Sequence, residues 1–249
     1  MEKINVLGVK VHRVTMSDAV NRVISFLENK QKSIVYTPNS EIIMECQTNE
    51  KLSLAMKEAD LVIPDGIGIV LASKIIKKPL SERVTGIDLM EKILNYANEK
   101  GKSIFILGGR PGVAQKCGEN ILKRYPNIKL KGTHHGYFKG QHIGMENHSE
   151  EVQVLELINY LKPDILFVAF GAPKQELWIQ RYKDELDAKL FMGVGGSVDV
   201  YAGEVKRAPK IYQNLGLEWF YRLVKEPWRY KRMMALPKFV IEVIKRGQN

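Results

Sequence analysis

The chain has 249 residues, 45% hydrophobic and 27% charged, with no low-complexity tract and no repeat at solenoid periods. That composition excludes disordered, fibrous and repeat classes and leaves one large domain, or a domain with an appendage. The net charge of +10 is uneven: residues 206–249 hold eleven Lys/Arg and three Glu, a net of +8, whereas the first 205 residues carry 27 basic and 25 acidic side chains, a net of +2.

The N-terminal stretch MEKINVLGVKVHRVT lacks the apolar core of a signal peptide, and no apolar run is long enough to span a bilayer, so the expectation is a protein kept in the cytoplasm. Cys46 and Cys117 have no metal-ligand spacing, and a reducing compartment leaves them unpaired.

In chain order, Met16, Ala19, Val20, Val23, Ile24 and Leu27 recur at helical spacing, with Thr15 or Ser17 as cap. A strand is expected at Ser33–Thr37, followed by YTPNSE. A second, Leu61–Ile63, runs into PDGIG. Gly86–Lys100 is read as a helix stopped by Gly101. The strand Ser103–Leu107 ends in LGGRPG, and Pro111–Tyr125 is the next helix, with proline near its first turn. Ile165–Phe170 leads into FGAPKQE, and Leu190–Val194 into GVGGSVD. After Ala208-Pro209, residues 210–226 have a helical pattern. A last helix, Trp228–Lys245, is expected to start after Pro227 and to kink or end at Pro237.

Alternation of this kind predicts a mainly parallel α/β sheet with helices on both faces, residues 1–204, and a helical basic appendage, residues 205–249. Ligands of such sheets sit at the carboxyl ends of the strands, where all five polar or glycine-rich loops fall.

Gly108, Gly109 and Gly112 resemble a phosphate-binding turn, though a tight strand-to-helix turn reads the same way. Gly193, Gly195 and Gly196 supply a second such turn, which together with the first points to a nucleotide diphosphate. No Asp-x-Asp pair and no His-Glu-x-x-His is present, so charge on a leaving diphosphate falls to Arg, Lys and helix dipoles, and His134 and His135 are read as structural. Asp65 is either the cap of the helix after it or, beside Thr37 and Asn39, a lone base that deprotonates an acceptor hydroxyl. Lys174, Gln175 and Glu176 open a helix, and Arg83 with Asp88 lies in SERVTGID. Arg222, Lys225, Arg229 and Arg232 fall on one helical face unless Pro227 swings the second helix away, interleaved with Trp219, Phe220, Tyr221, Trp228 and Tyr230, a mixture suited to a bilayer interface.

The motifs TPNSE, PDGIG, ERVTGID, LGGRPGVA, FGAPKQELW, GVGGSVDVYAGEVKRAP and GLEWFYRLVKEPWRYKR resemble, in order, those of the WecG/TagA/CpsF glycosyltransferases (glycosyltransferase family 26), over nearly the whole chain. The resemblance is nearest to members that build the wall teichoic acid linkage unit. It implies a Rossmann-like fold and an inverting transfer of N-acetylmannosamine from UDP-N-acetylmannosamine to N-acetylglucosaminyl-diphospho-undecaprenol through a β-1,4 link. It implies no cofactor and no metal. Asp65 matches the proposed general base, with Thr37 and Asn39 beside it. Gln175 and Asp199 match motifs lining the nucleotide pocket, and Arg222, Arg229 and Arg232 match tail arginines that meet the lipid diphosphate. The site expected from residues and resemblance together adds Gly108, Gly109, Gly112, Glu176, Gly195, Gly196 and Arg83 on the donor side. The implied partners are a UDP-sugar donor, the lipid-linked acceptor and the anionic inner face of the cell membrane, with self-association left open and no nucleic acid. Tyr201 departs from the pattern, where an apolar residue is usual.

Other donors, such as UDP-N-acetylmannosaminuronic acid or UDP-glucose, fit the same motifs. A nucleotide-dependent oxidoreductase would need an acid about twenty positions past its glycine turn, where this chain has Pro126, Asn127, Lys129 and Lys131. The basic tail taken alone also suits a nucleic-acid-binding protein.

Overall fold

The computed structural model describes residues 1–227, 230 and 234–246. An antiparallel hairpin comes first: β1 (Lys3–Val6) pairs with β2 (Val9–His12), Ile4 facing Val11 and Val6 facing Val9. Its two turn residues, Leu7 and Gly8, take φ of 50° and 88°, the positive values that match the twist of a two-residue hairpin. Sequence analysis had passed over this hairpin, although its alternating valines carry the signal.

Among the described residues, β3 (Ser33–Tyr36), β4 (Leu61–Val62), β5 (Ser103–Gly108), β6 (Lys129–His134), β7 (Ile165–Ala169) and β8 (Leu190–Gly193) form one sheet in the order β4-β3-β8-β7-β5-β6. Every pairing in it is parallel. The five expected strands are all present. The sixth, β6, is an edge strand with a polar outer row, too weak in hydrophobic pattern to stand out. His12 joins hairpin to sheet: its Nδ1 accepts the Val62 N–H at 2.9 Å.

The helices between the strands are α1 (Met16–Glu28), α2 (Ser40–Glu45), α3 (Glu50–Glu58), α4 (Ile67–Ile75), α5 (Gly86–Glu99), α6 (Val113–Arg124), α7 (Ser149–Leu161), α8 (Lys174–Tyr182) and α9 (Ser197–Tyr201). Buried residues divide by strand period. Phe105, Leu107, Leu166 and Val168 face one core, with α2, α3, α4, α7, α8 and the hairpin. Ile104, Ile106, Ile165 and Phe167 face the other, with α1, α5, α6 and α9. Cys46 lies in the first core and Cys117 in the second, both free, so the sheet separates the two thiols.

The tail departs from expectation in two places. Residues 210–226 are two helices, α10 (Lys210–Asn214) and α11 (Glu218–Lys225), because Gly216 turns left-handed at φ 70° and ends the first. The last described helix, α12 (Ala235–Arg246), contains Pro237 in its first turn, where the missing N–H has no partner to lose, so the helix runs on through the proline. The start expected at Trp228 lies outside the described residues. α12 lies against α2 and α4, and Phe239 and Val243 are buried in the first core. No helix among the described residues is long and apolar enough to cross a membrane.

Candidate active site

The adjacent strands β3 and β8 send their next helices, α2 and α9, to opposite faces of the sheet. A crevice therefore opens at their carboxyl ends, the topological place for a ligand. The helices that follow β4, β5, β7 and β8 begin at Gly66, Gly112, Pro173 and Gly196 without a side-chain cap. By contrast α1, α2, α3, α5 and α7 are capped by Thr15, Asn39, Asn49, Thr85 and His148. Uncapped first turns around one rim favour a bound anion.

Asp65 is half-buried on this rim. It does not cap the helix after it, because the cap position of α4 falls one residue later, at Gly66. Its carboxylate instead accepts the N–H of Gly86, the first residue of α5. The bond from Val84 N–H to Pro64 O, 3.2 Å, holds the two segments together. Desolvation is the largest influence on the acid and raises its pKa from 3.8 to about 6, against the Gly86 N–H and the Arg83 charge; Glu218 adds to the rise and Arg222 opposes it. A carboxylate at the other end of the sheet shows the contrast. Burial also pushes Asp164 up, but Lys189 and the Ser103 N–H and hydroxyl outweigh it and bring it to about 2. One acid is built to be charged and quiet; the other is poised near neutral pH.

Thr37 and Asn39, just past β3, approach the residues around this acid, Thr37 at Gly86 and Asn39 at Gly66. A methyl group on Gly86 would stand 3.1 Å from the Thr37 Oγ1, so α5 approaches Thr37 closely here. Asn39 uses its Oδ1 to cap α2, accepting from Ile42 N–H at 3.1 Å, which sequence analysis had not assigned to it.

The glycines divide by role. Gly108 takes φ 130°, and a side chain on it would come within 2.4 Å of the Ala169 carbonyl, so packing against β7 demands glycine. Gly109 gives its N–H to Ala169 O and its carbonyl to Gly136 N–H. Gly112, at φ 82°, faces open space at the start of α6. In PDGIG, Gly68 is glycine because Ser40 of α2 and Leu236 of α12 pack onto it.

The second turn sits on α8. Gln175 accepts the Gly195 N–H at 3.1 Å and donates to Glu176 Oε1 at 2.8 Å, and the two side chains are only 4% and 0% exposed. They hold the turn from beneath. Burial raises Glu176 to about 7, opposed by the Gln175 amide and a main-chain N–H, and its Oε2 has no hydrogen-bond partner in the structure. A folded-state pKa above the ordinary 4.5 favours folding fully below that value, and the contribution is lost as pH rises through about 7. Glu176→Gln is therefore expected to gain thermal stability relative to the parent between pH 5.5 and pH 8.5. Parallel melting curves across that range would rule the reading out.

Asp199, half-buried on α9, follows the turn and accepts the Glu204 N–H on its main-chain carbonyl. Tyr201 packs against the second core, which accounts for an aromatic at an apolar position.

The tail closes the rim. Gly216 packs on Ile67, just past Asp65, and a side chain on Gly196 would stand 3.8 Å from Arg222 Nη1. Arg222 thus lies beside the second glycine turn and within electrostatic reach of Asp65. Arg83 is not a solvated surface cation: its side chain is 17% exposed and donates to Gln213 O and Glu218 Oε2, both at 3.0 Å. Arg229 and Arg232 lie outside the described residues. Sequence analysis missed Arg207 and Glu218, which join Arg83 and Asp88 across the rim.

The rim of this parallel sheet thus brings together the desolvated acid Asp65, uncapped helix starts and an arginine at a glycine turn, groups suited to an anionic substrate. The sequence profile of the glycosyl transferase WecG/TagA/CpsF family matches residues 4–249, and the chain belongs to that family. It is 36% identical over 221 residues to an N-acetylglucosaminyldiphosphoundecaprenol N-acetyl-beta-D-mannosaminyltransferase of Bacillus spizizenii, covering 89% of this chain and 82% of the relative. Enzymes of the same name from Staphylococcus aureus (35% over 245 residues, 98% and 92% covered) and Bacillus subtilis (35% over 224 residues, 90% and 84% covered) are similar to it as well.

Proposed function

We propose that this protein transfers N-acetylmannosamine from UDP-N-acetylmannosamine to the 4-hydroxyl of N-acetylglucosaminyl-diphospho-undecaprenol, with inversion. The acceptor oxygen attacks the anomeric carbon from the face opposite UDP. The new O4–C1 bond forms as the bond from C1 to the diphosphate breaks. The hydroxyl proton passes to Asp65, and UDP leaves with the electron pair. The observation that carries this reading is Asp65 itself: a carboxylate raised to about 6 by burial yet half-open on the rim, near Thr37, Asn39 and Arg222, whereas the other raised acid, Glu176, is fully covered. A base poised near the working pH is what proton removal in the transition state needs.

On this reading, Thr37 and the amide nitrogen of Asn39 orient the sugars. The first turns of α6 and α9, with Gly112, Gly195 and Gly196, receive the diphosphate. Arg222, together with Arg229 and Arg232, offsets the charge on the departing UDP and meets the lipid diphosphate. Gln175, Glu176, Gly108 and Gly109 shape this surface from below, and Asp199 flanks it. Residues 205–249 are the membrane-facing part. Ile211, Leu215, Phe220, Val224, Ile241 and Ile244 are exposed among the basic side chains, an arrangement that suits the headgroup boundary of an anionic leaflet.

The test is UDP release from a panel of UDP-sugars with a short-chain lipid-diphosphate N-acetylglucosamine acceptor. Release is expected with UDP-N-acetylmannosamine at a rate above that of any other donor. Preference for UDP-glucose or UDP-N-acetylmannosaminuronic acid would move the protein to another surface polymer. No release from any donor would overturn the transferase reading.

A further inference from the structure

α11 is the element that carries Arg222, yet none of its residues is buried, and its apolar residues Phe220 and Val224 are 43% and 61% exposed. Trp219, Tyr221 and Leu223 are half-buried, with Tyr221 against the ring of Tyr212 in α10, but no side chain of α11 enters either core. The ion pairs that tie it to the body run through Glu218. Glu218, in its first turn, offers Oε2 to Arg83 at 3.0 Å and Oε1 to Arg207 at 3.2 Å. Arg207 in turn grips both oxygens of Asp88, at 2.5 and 2.8 Å. Asp88 closes the capping contact with Thr85 at the start of α5, whose Gly86 N–H binds Asp65. The order Asp88, Arg207, Glu218, Arg83 alternates in sign and ends beside Asp65. Arg83, Arg207 and Glu218 are 17–20% exposed as side chains, so the pairs are shielded enough to hold a geometry, unlike solvated surface pairs. Glu218 and Arg222 are one turn apart on the same helical face. Whatever fixes Glu218 therefore fixes where the Arg222 guanidinium falls on Gly196.

We propose that Glu218 is a positioning residue for the transfer: clasped between Arg83 and Arg207, it sets α11 so that Arg222 stands over the glycine turn that receives the diphosphate. The proposal rests on the transferase reading above and adds to it a residue that acts through Arg222.

The test compares Glu218→Gln, Arg207→Lys, Arg222→Ala and the double variant Glu218→Gln/Arg222→Ala in the full chain. The first measurement needs no substrate: amide hydrogen exchange across residues 218–225 is expected to speed up in Glu218→Gln and Arg207→Lys, with β5 and β7 unchanged. The second is turnover. Glu218→Gln is expected to lose on the order of tenfold to a hundredfold, the scale of a misplaced catalytic group. On the Arg222→Ala background it is expected to lose less than about twofold more, because a residue acting through Arg222 has nothing left to position. A full multiplicative loss in the double variant would show that Glu218 acts elsewhere and would overturn the proposal. Unchanged exchange over 218–225 would overturn it too. If the parent protein released no UDP, the transferase reading would fail on its own, and the exchange result would still decide whether the clasp holds α11.

Discussion

Asp65→Asn is expected to cut turnover by at least about a hundredfold, the lower end of what a general base contributes. Asparagine keeps an oxygen that accepts the Gly86 N–H but cannot take a proton. In the parent, kcat/KM should fall below pH about 6, where the carboxylate becomes protonated, and the variant should lose that limb. Stability gives an independent check. The folded-state pKa of Asp65 is raised above 3.8, so its contribution to folding is full below that value and is lost as pH rises through about 6. At pH 7.5 the neutral asparagine is expected to melt at the same temperature as the parent, or higher. An acid kept for chemistry at a cost to the fold behaves this way. A variant that keeps its turnover and melts lower would make Asp65 a structural anchor for α5 and nothing more.

Phe239→Ala tests how far the tail is separate from the body. Phe239 is 0% exposed, in a helix that lies against α2 and α4. Truncating a buried phenylalanine costs about 3–5 kcal/mol, through lost burial and the cavity left behind. For a chain of this size that corresponds to a fall in Tm of roughly 10 °C. Calorimetry of the purified variant should show one transition, shifted down. A shift within about 2 °C would mean that α12 is a detachable appendage and that the proposed boundary at 204/205 is a true edge of the core. On the expected outcome the boundary marks a change of surface character, from near-neutral to basic, while the first core runs on into α12.

Much of the site was legible in the chain. Each motif loop was placed after the strand that carries it, because the apolar runs at Ser33, Leu61, Ser103, Ile165 and Leu190 and the glycines after them are local signals. For α1 the cap was narrowed to Thr15 or Ser17, and Thr15 takes it, whereas the caps at Asn39, Asn49, Thr85 and His148 went unread. The reasons behind individual residues were less so. Gly108 and Gly109 looked like parts of an anion-binding turn, and Gly68 like part of the loop after Asp65. Gly108 and Gly68 are required by close packing, and Gly109 has its N–H and carbonyl taken by neighbouring main chain. Gln175 and Glu176 looked like ligand contacts and are buried supports. A glycine or a glutamine has the same identity in either role, and only its neighbours in space distinguish them.

By itself the sequence determined the layered α/β architecture, the rim of loops that includes Asp65, and the family. These follow from strand and helix periods and from turn chemistry, which depend on residues a few positions apart. Only the tertiary structure decided that Asp65 binds the start of α5 and not its own helix, that α12 is part of the core, and that Glu218 clasps Arg83 and Arg207. Arg207 and Asp88 are 119 positions apart, and Arg83 and Glu218 are 135 apart. Whether such charges meet depends on which strand ends the sheet order brings side by side, and no local pattern in the chain encodes that distance.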